Sequence, residues 1–139
     1  KYSIDCGDVL IIRVNGSSDI VGRFISCHET HDAVYCDHFI RMRFLIAPFD
    51  TKYLSILGSS KIIREQIEML FITTAGQKTV NQSHISSLLL PLPAISEQPR
   101  IIAKVDELMS LCDQLSARLQ ASQITQLHLA EALVEGALN

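Results

Sequence analysis

The last third of the chain contains a regular apolar spacing that restricts its fold more than any other feature. Apolar residues or cysteine recur alternately four and three positions apart, at Ile101, Val105, Leu108, Cys112, Leu115 and Leu119. A period of about 3.5 residues is that of a coiled-coil seam. Polar residues interrupt it at Ser122 and Gln126, and it resumes at Leu129 and Leu133. We therefore predict one long helix over residues 96–139, with the six seam residues as a helix interface.

The start and length of this helix follow from its first residues. Ser96 is suited to cap it, and Pro99 is tolerated in the first turn because the first amide groups of a helix have no intrahelical partner. A helix over residues 96–136 would span on the order of 60 Å. Amphipathic helices usually pack on their own domain, but the preceding residues form too small a core to cover the whole seam. We favour pairing with a helix of another chain or repeat, and a homodimer is one such pairing.

Residues 1–95 combine two periodicities, which predicts an α+β region. Val9–Ile12 is an apolar run typical of a buried strand, and Phe39–Leu45 alternates apolar and charged residues as a strand does. From Pro48 the spacing becomes helical and fits two short amphipathic helices, with a break at Gly58–Ser60. The charged side of the second helix is expected to face solvent, at Lys61, Arg64, Glu65 and Glu68.

Three shorter segments complete this region. The small polar stretch Thr73–Thr79 predicts a loop, and Asn81–Ser87 fits a helical turn. Leu88–Pro93 has the pattern of a strand whose prolines confine its end to an edge or exit. We therefore predict mixed strands and short helices over residues 1–95, followed by a long coiled-coil helix over 96–139.

Composition limits the class of protein. The chain has 139 residues, 47% of them hydrophobic, so it can form one core with an appendage. Its longest apolar runs fall far short of the ~20 residues that cross a bilayer, and we expect no membrane partner. Lys1–Asp5 show no secretion signal, so a cytoplasmic location is expected. The cysteines at positions 6, 27, 36 and 112 are irregularly spaced, which favours free thiols.

One cluster contains residue types that bind metals, namely Cys27, His28, His31, Cys36 and His38. Cysteine and histidine are the ligands that zinc prefers. Their spacing, however, fits no closed zinc-binding pair, and buried cysteines with surface histidines explain the same residues. We predict no metal site, although strand geometry leaves one conceivable.

Catalytic motifs are absent from the sequence. There is no nucleophile elbow, no glycine-rich phosphate loop, no dinucleotide fingerprint and no His-Glu-x-x-His helix. We therefore expect no catalytic residues, no cofactor and no enzymatic activity of the chain itself.

Two polar segments remain as candidates for nucleic-acid contact. Both combine glycine with amide, hydroxyl and cationic side chains, which suit phosphates and base edges. The candidate contact residues are Arg13, Asn15, Ser17, Arg23, Gln77, Lys78 and Asn81. Such residues also populate ordinary turns, and the net charge of −3 means that any DNA-binding surface must be local.

Several of these segments, in their order, resemble the specificity subunits of type I restriction-modification enzymes. The first is Gly7–Ser17 followed by Val21-Gly22-Arg23, which is similar to a Gly-Asp-aliphatic-Leu segment of that family. The second is Thr73–Asn81, which resembles the family's Gln-Lys loop. Leu88–Pro93 and Ser96–Ile102 then look like its Pro-Leu-Pro strand and its Glu-Gln-x-x-Ile helix entry.

The resemblance implies a target recognition domain that reads one half of a split sequence in double-stranded DNA. It also implies a helix that pairs with its counterpart and docks methyltransferase subunits, with the restriction subunit joining the assembly. Family members have two recognition domains and two helices, whereas this chain has at most one of each. Their recognition domains usually contain several dozen residues before the Gly-Asp segment, so residues 1–95 are expected to lack the N-terminal part of such a domain. The alternative is an assembly module whose helix dimerises and whose α+β part binds no DNA.

Overall fold

A computed structural model of the chain describes residues 2–44 and 49–138, and it divides into two units, Lys1–Ile102 and Ala103–Asn139. Leu45 and Pro48, on which two predictions fall, lie outside the described residues, as does Asn139. The described elements are, in chain order, β1 (Ser3–Ile4), β2 (Val9–Ile12), β3 (Val14–Asn15), β4 (Phe24–Ser26), β5 (His31–Val34), β6 (Phe39–Met42), α1 (Thr51–Ser59), α2 (Lys61–Leu70), β7 (Ile72–Thr74), β8 (Gln77–Thr79), α3 (Gln82–Ser86) and α4 (Gln98–Leu138). Strands, short helices and one long helix confirm the predicted α+β class.

The central sheet has the order β4-β2-β6 and is antiparallel. Its middle strand is the apolar run predicted to be buried, and Ile11 lies opposite Phe24 on one side and Ile40 on the other. Helices α1 and α2 supply Leu54 and Ile67 to the same core. Burial of these side chains stabilises the first unit by roughly 1.5–3 kcal/mol each.

The two short helices break where predicted, but the reason for Gly58 differs. Helix α1 includes Gly58, which is buried, and only Ser60 separates α1 from α2. A Cβ atom at Gly58 would lie 2.5 Å from Cγ of Phe24. Glycine is therefore needed here because α1 approaches β4 closely, and it does not end the helix.

The stretch Thr73–Thr79, predicted as a loop, forms most of a β-hairpin, so that prediction was wrong. Strands β7 and β8 pair in antiparallel register through the turn residues Ala75 (φ 48°) and Gly76 (φ 80°). Two central residues with positive φ are typical of the tight turn that matches the twist of a hairpin. A short polar hairpin lacks the long apolar alternation by which strands are recognised in a sequence.

Leu88–Pro93, predicted as a strand, belongs to no sheet in the described structure, so that prediction was wrong. Side chains of the two short helices form hydrogen bonds to part of its backbone instead. Gln66 accepts from the amide of Leu89 at 2.9 Å and donates to its carbonyl at 3.2 Å, and the Tyr53 hydroxyl donates to the carbonyl of Pro91 at 2.9 Å. Because proline has no amide hydrogen, such side-chain partners replace a ladder that this segment cannot complete.

Helix α4 begins at Gln98. Ser96 therefore does not cap it, and that prediction was wrong. The amides of Glu97 and Gln98 both donate to the carbonyl of Ala94, at 2.8 and 3.3 Å, which closes a turn before the helix. The Gln98 side chain is buried and accepts from the amide of Asp50 at 2.7 Å. The first turn of the helix is thus anchored within the first unit.

In the second unit, the described side chains from Asp106 to Glu135 are exposed. No helix within the described ranges combines the length and apolarity needed to span a membrane.

Candidate nucleic-acid interface

The two polar segments predicted to contact DNA meet in the sheet β3-β8-β7. Asn15 in β3 lies opposite Lys78 in β8, and Val14 lies opposite Thr79. Lys78 Nζ donates to the carbonyl oxygen of Gly16 at 3.3 Å, although 62 positions separate the two residues. Antiparallel pairing therefore gathers an amide and a cation from distant parts of the chain on one small sheet.

Two neutral candidates near this sheet differ in how they are held. Asn15 Oδ1 accepts from the amide of Ser17 at 2.9 Å, which fixes the turn after β3. The Gln77 side chain is exposed and makes no hydrogen bond to the described residues. The carbonyl oxygen and the amino group of the Gln77 side chain are thus both available to a ligand, whereas Asn15 already uses its side-chain carbonyl oxygen locally.

Arg64 was predicted to face solvent, and this was wrong. Its guanidinium is half-buried beneath the turn that follows β3, where it donates to the carbonyls of Val21, at 2.8 Å, and Ser18. Burial lowers the pKa of Arg64 from its ordinary value. On a helix the spacing of charges marks a polar side, but it does not show which cation a neighbouring loop will cover.

The turn held by Arg64 presents Arg23. Gly22 adopts φ 75° within it, and its amide donates to the carbonyl of Ile12 at 2.7 Å. Arg23 is exposed, and its Nε donates to the carbonyl of Asp19 at 2.6 Å. The other N–H groups of its guanidinium make no hydrogen bond to the described residues, so they are available to an external anion.

Arg13 and Asn81 lie at the opposite end of the β3–β8 pair from Asn15 and Lys78. The Val80 amide donates to the carbonyl of Arg13 at 2.9 Å, and the Arg13 side chain is exposed. Asn81 caps α3: its Oδ1 accepts from the amide of His84 at 2.9 Å, and its Nδ2 lies 3.3 Å from His84 Nε2. The Asn81 side chain therefore has a structural task that its sequence position did not reveal.

An ion pair between a buried carboxylate and an exposed guanidinium supports the start of β2. Arg43 contacts Asp8 through both carboxylate oxygens, at 2.6 and 2.7 Å, and Asp5 at 2.6 Å. Asp8 is 1% exposed, and the hydrogen bonds from Arg43 hold the pKa of its carboxyl below the ordinary value. The Gly7-Asp8 segment that carries part of the family resemblance thus has a structural role.

The predicted helix-interface residues fall into two groups. Ile101 packs against the core of the first unit. Val105 is half-buried, and the others are exposed, with Leu108, Leu115 and Leu119 showing 49, 63 and 61% of their surface. A row of large apolar side chains exposed to this degree is typical of a surface that contacts another protein.

The structure describes the side chains of four of the five clustered cysteine and histidine residues, Cys27, His28, Cys36 and His38. Cys27 is buried, and its burial raises the pKa of its thiol, whereas Cys36 and His38 are exposed. Within this described part, no three Cys, His, Asp or Glu side chains are grouped so that they could hold a metal ion. The side chain of His31 lies outside it. The thiols of the four cysteines are free.

No protein-family model matches the chain. It is 36% identical over 138 residues to the type I restriction enzyme StySPI specificity subunit of Salmonella potsdam, covering 95% of this chain and 30% of that protein. It is 30% identical over 141 residues to the EcoEI specificity subunit of Escherichia coli, covering 100% of this chain and 24% of that protein. It is also 30% identical over 139 residues to the EcoKI specificity subunit of Escherichia coli strain K12, covering 95% of this chain and 30% of that protein.

Proposed function

Since this chain is related over nearly its whole length to a part of type I restriction enzyme specificity subunits, we propose that it takes part in sequence-specific DNA recognition within a restriction-modification system. The chain spans 24–30% of the length of these relatives. Residues 1–95 would then act as part of a target recognition domain, and residues 96–139 as the helix that joins it to the assembly.

The observation that carries this proposal is the pairing of β3 with β8. It places Lys78 beside the turn after β3, with Gln77 exposed next to it. The major groove of DNA admits a two-stranded β-ribbon, and glutamine pairs well with adenine there. Arg13, Arg23 and Lys78 would fix the register on phosphates, while Gln77 and Asn15 contact bases.

The division of labour between these groups has a physical basis. Phosphate contacts position a protein on the duplex without reading its sequence. One well-formed pair between a side chain and a base discriminates by ~1–3 kcal/mol. The chain itself would be non-catalytic, and the chemistry would belong to a methyltransferase subunit and, through the complex, to a restriction subunit. Such a role implies a cytoplasmic location.

The exposed seam of α4 supports a helix contact in this assembly. Leu108, Leu115 and Leu119 would be covered by a partner helix, and in the isolated chain by a second copy in a homodimer. The same seam is also expected of the second candidate function, an assembly module without DNA binding. The net charge of −3 favours this candidate, because it provides no general attraction to DNA.

A charge-matched pair of triple variants distinguishes the two candidates. Alanine at Arg13, Arg23 and Lys78 removes three cations from the proposed surface, and alanine at Lys61, Arg100 and Arg118 removes three from elsewhere. We expect the first variant to lower the affinity for duplex DNA by more than tenfold, while the second keeps it within twofold. Equal affinities of both variants and the wild type would support the assembly module instead.

A further inference from the structure

A cavity of about 530 Å³ opens on the first unit next to the β3–β8 pair. Its lining includes two arginines, two tyrosines and two residues from the start of α3, namely Arg13, Arg41, Tyr2, Tyr35, Asn81 and Gln82. We propose that this cavity binds one phosphate of the DNA backbone. This inference rests on the proposed function and adds Arg41, which is not among the contact residues predicted from the sequence.

Arg41 is held in place before any ligand arrives. It lies in β6 opposite Leu10, and its Nη1 donates to the carbonyl of Ser3 at 2.8 Å. Its guanidinium carbon lies 5.4 Å from the centre of the Tyr35 ring, and Tyr35 contacts Tyr2 edge to face. A guanidinium fixed by a carbonyl and an aromatic ring loses little conformational freedom when it binds an anion.

Arg13 supplies the second positive charge of the cavity and lies between β2 and β3. Its amide donates to the carbonyl of His38 at 2.8 Å, and its own carbonyl accepts from Val80. Its Nη1 lies 3.3 Å from the carbonyl of Asp37, which is a long hydrogen bond for an arginine. The guanidinium can therefore leave this carbonyl for a stronger acceptor.

The balance of charge in the cavity favours an anion. Among its lining residues, Asp37 is the one acid, against the two arginines. The other polar residues of the lining include Tyr2, Tyr35, Asn81, Gln82 and Ser83. Arginine, tyrosine, serine, asparagine and glutamine are all among the side chains that donate hydrogen bonds to DNA phosphates.

The cavity lies where a bound phosphate would fix the position of the DNA relative to β3 and β8. Arg13 directly precedes β3, and Asn81 follows β8 by one residue, Val80. A phosphate held between Arg13 and Arg41 would therefore lie beside the start of β3 and the end of β8, the strands that contain Asn15 and Lys78. The cavity would set the register in which those side chains meet the bases.

The first test uses the full chain and inorganic phosphate as the probe. The arginine Nε–H signals are followed by ¹H–¹⁵N NMR at constant ionic strength, with chloride in the reference titration. We expect the signals of Arg13 and Arg41 to shift together and saturate, while that of Arg100 remains still. A surface effect would instead move all three signals alike without saturation, and this would overturn the cavity as a phosphate site.

The second test measures duplex affinity across a range of salt concentrations for Arg41→Gln, Arg41→Lys and the matched control Arg100→Gln. Loss of one phosphate contact reduces the slope of log affinity against log salt by about 0.9 and the affinity by roughly fivefold to tenfold near 0.1 M salt. We expect this for Arg41→Gln, partial recovery with Arg41→Lys and no change for the control. Thermal unfolding of each variant verifies that it is folded.

The two tests separate this inference from the proposed function. If the wild type binds duplex DNA but its cavity arginines do not respond to phosphate and Arg41→Gln binds as well as the wild type, the cavity proposal fails and the proposed function stands. If the arginines saturate with phosphate but the complete subunit that contains this chain binds no duplex, both the DNA source of the phosphate and the proposed function are overturned.

Discussion

Asn15 lies directly opposite Lys78 in the antiparallel pair of β3 and β8. The two residues come from segments far apart in the sequence, and each is tied to the turn after β3. Asn15 Oδ1 holds the amide of Ser17, and Lys78 Nζ contacts the carbonyl of Gly16. This relationship makes one surface out of two polar segments and is the basis of the DNA-recognition proposal.

Replacing Lys78 is expected to weaken DNA binding without changing sequence preference. Lys78→Gln removes a cation that would neutralise one phosphate, so the salt dependence should fall by about 0.9 in slope for every duplex tested. The control is Lys61→Gln, since the Lys61 side chain is 88% exposed and, among the described residues, pairs only with Glu65, at 3.7 Å. Fluorescence anisotropy over a salt series measures both; equal slopes for the two variants would remove Lys78 from the interface.

The sequence predicted the parts of this surface but not their assembly. Residue chemistry alone selected Asn15, Gln77 and Lys78. It could not place them together, because the register between β3 and β8 depends on a contact between distant segments. Arg41 was missed because, in an alternating strand, a charged residue is expected to face solvent rather than to line a cavity.

Other errors have similar physical causes. Arg64 fits the polar side of an amphipathic helix, yet a loop from elsewhere in the chain covers it. Leu88–Pro93 has strand composition, but its partners are the side chains of Gln66 and Tyr53. Local periodicity did locate β2, both short helices and α4, because each has an apolar pattern that its own residues determine.

The ion pair between Asp8 and Arg43 predicts a pH dependence of stability. Hydrogen bonds from Arg43 lower the pKa of the Asp8 carboxyl from 3.8, its ordinary value. A carboxyl whose pKa is lowered by folding stabilises the folded state fully above its ordinary pKa. This contribution is lost as the pH falls through the lower folded pKa. The free energy of unfolding should therefore decrease below pH 3.8, and less so in Asp8→Asn.

At pH 7, Asp8→Asn should cost roughly 1–3 kcal/mol because it leaves Arg43 without its buried charged partner. Asp5→Asn is the matched control, since the Asp5 side chain is 45% exposed and its pair with Arg43 is worth about 1 kcal/mol or less. Urea unfolding at several pH values measures both variants. Equal losses of unfolding free energy in Asp5→Asn and Asp8→Asn would contradict the role assigned to the burial of Asp8.

The close approach of α1 to β4 predicts that Gly58→Ala destabilises the first unit. The new Cβ atom would lie 2.5 Å from Phe24 Cγ, and overpacking of this kind costs about 1–3 kcal/mol. Gly16→Ala is a suitable control because no atom lies within 4 Å of the added carbon. Thermal unfolding should show a lower midpoint for Gly58→Ala alone; an unchanged midpoint would mean that the helix can shift without cost.

The exposed seam predicts self-association of the isolated chain. Leu108→Glu introduces a charge into the seam and should convert a dimer into a monomer. Met109→Glu introduces the same charge at a neighbouring residue outside the seam, where Met109 is 58% exposed, and should leave the dimer intact. Sedimentation equilibrium at tens of micromolar distinguishes these states. A wild-type monomer would show that the helix does not pair with its own copy.

The most direct test of DNA recognition is selection from a pool of randomised duplexes, performed with the wild type, Gln77→Ala and the control Gln123→Ala, in the complete subunit assembled with its methyltransferase. The wild type and Gln123→Ala should enrich the same short sequence, and Gln77→Ala should lose preference at one position of it, because a single base contact discriminates by ~1–3 kcal/mol. Identical sequences from all three proteins would exclude Gln77 as a base-contacting residue, and no enrichment from the wild type would contradict sequence-specific recognition itself.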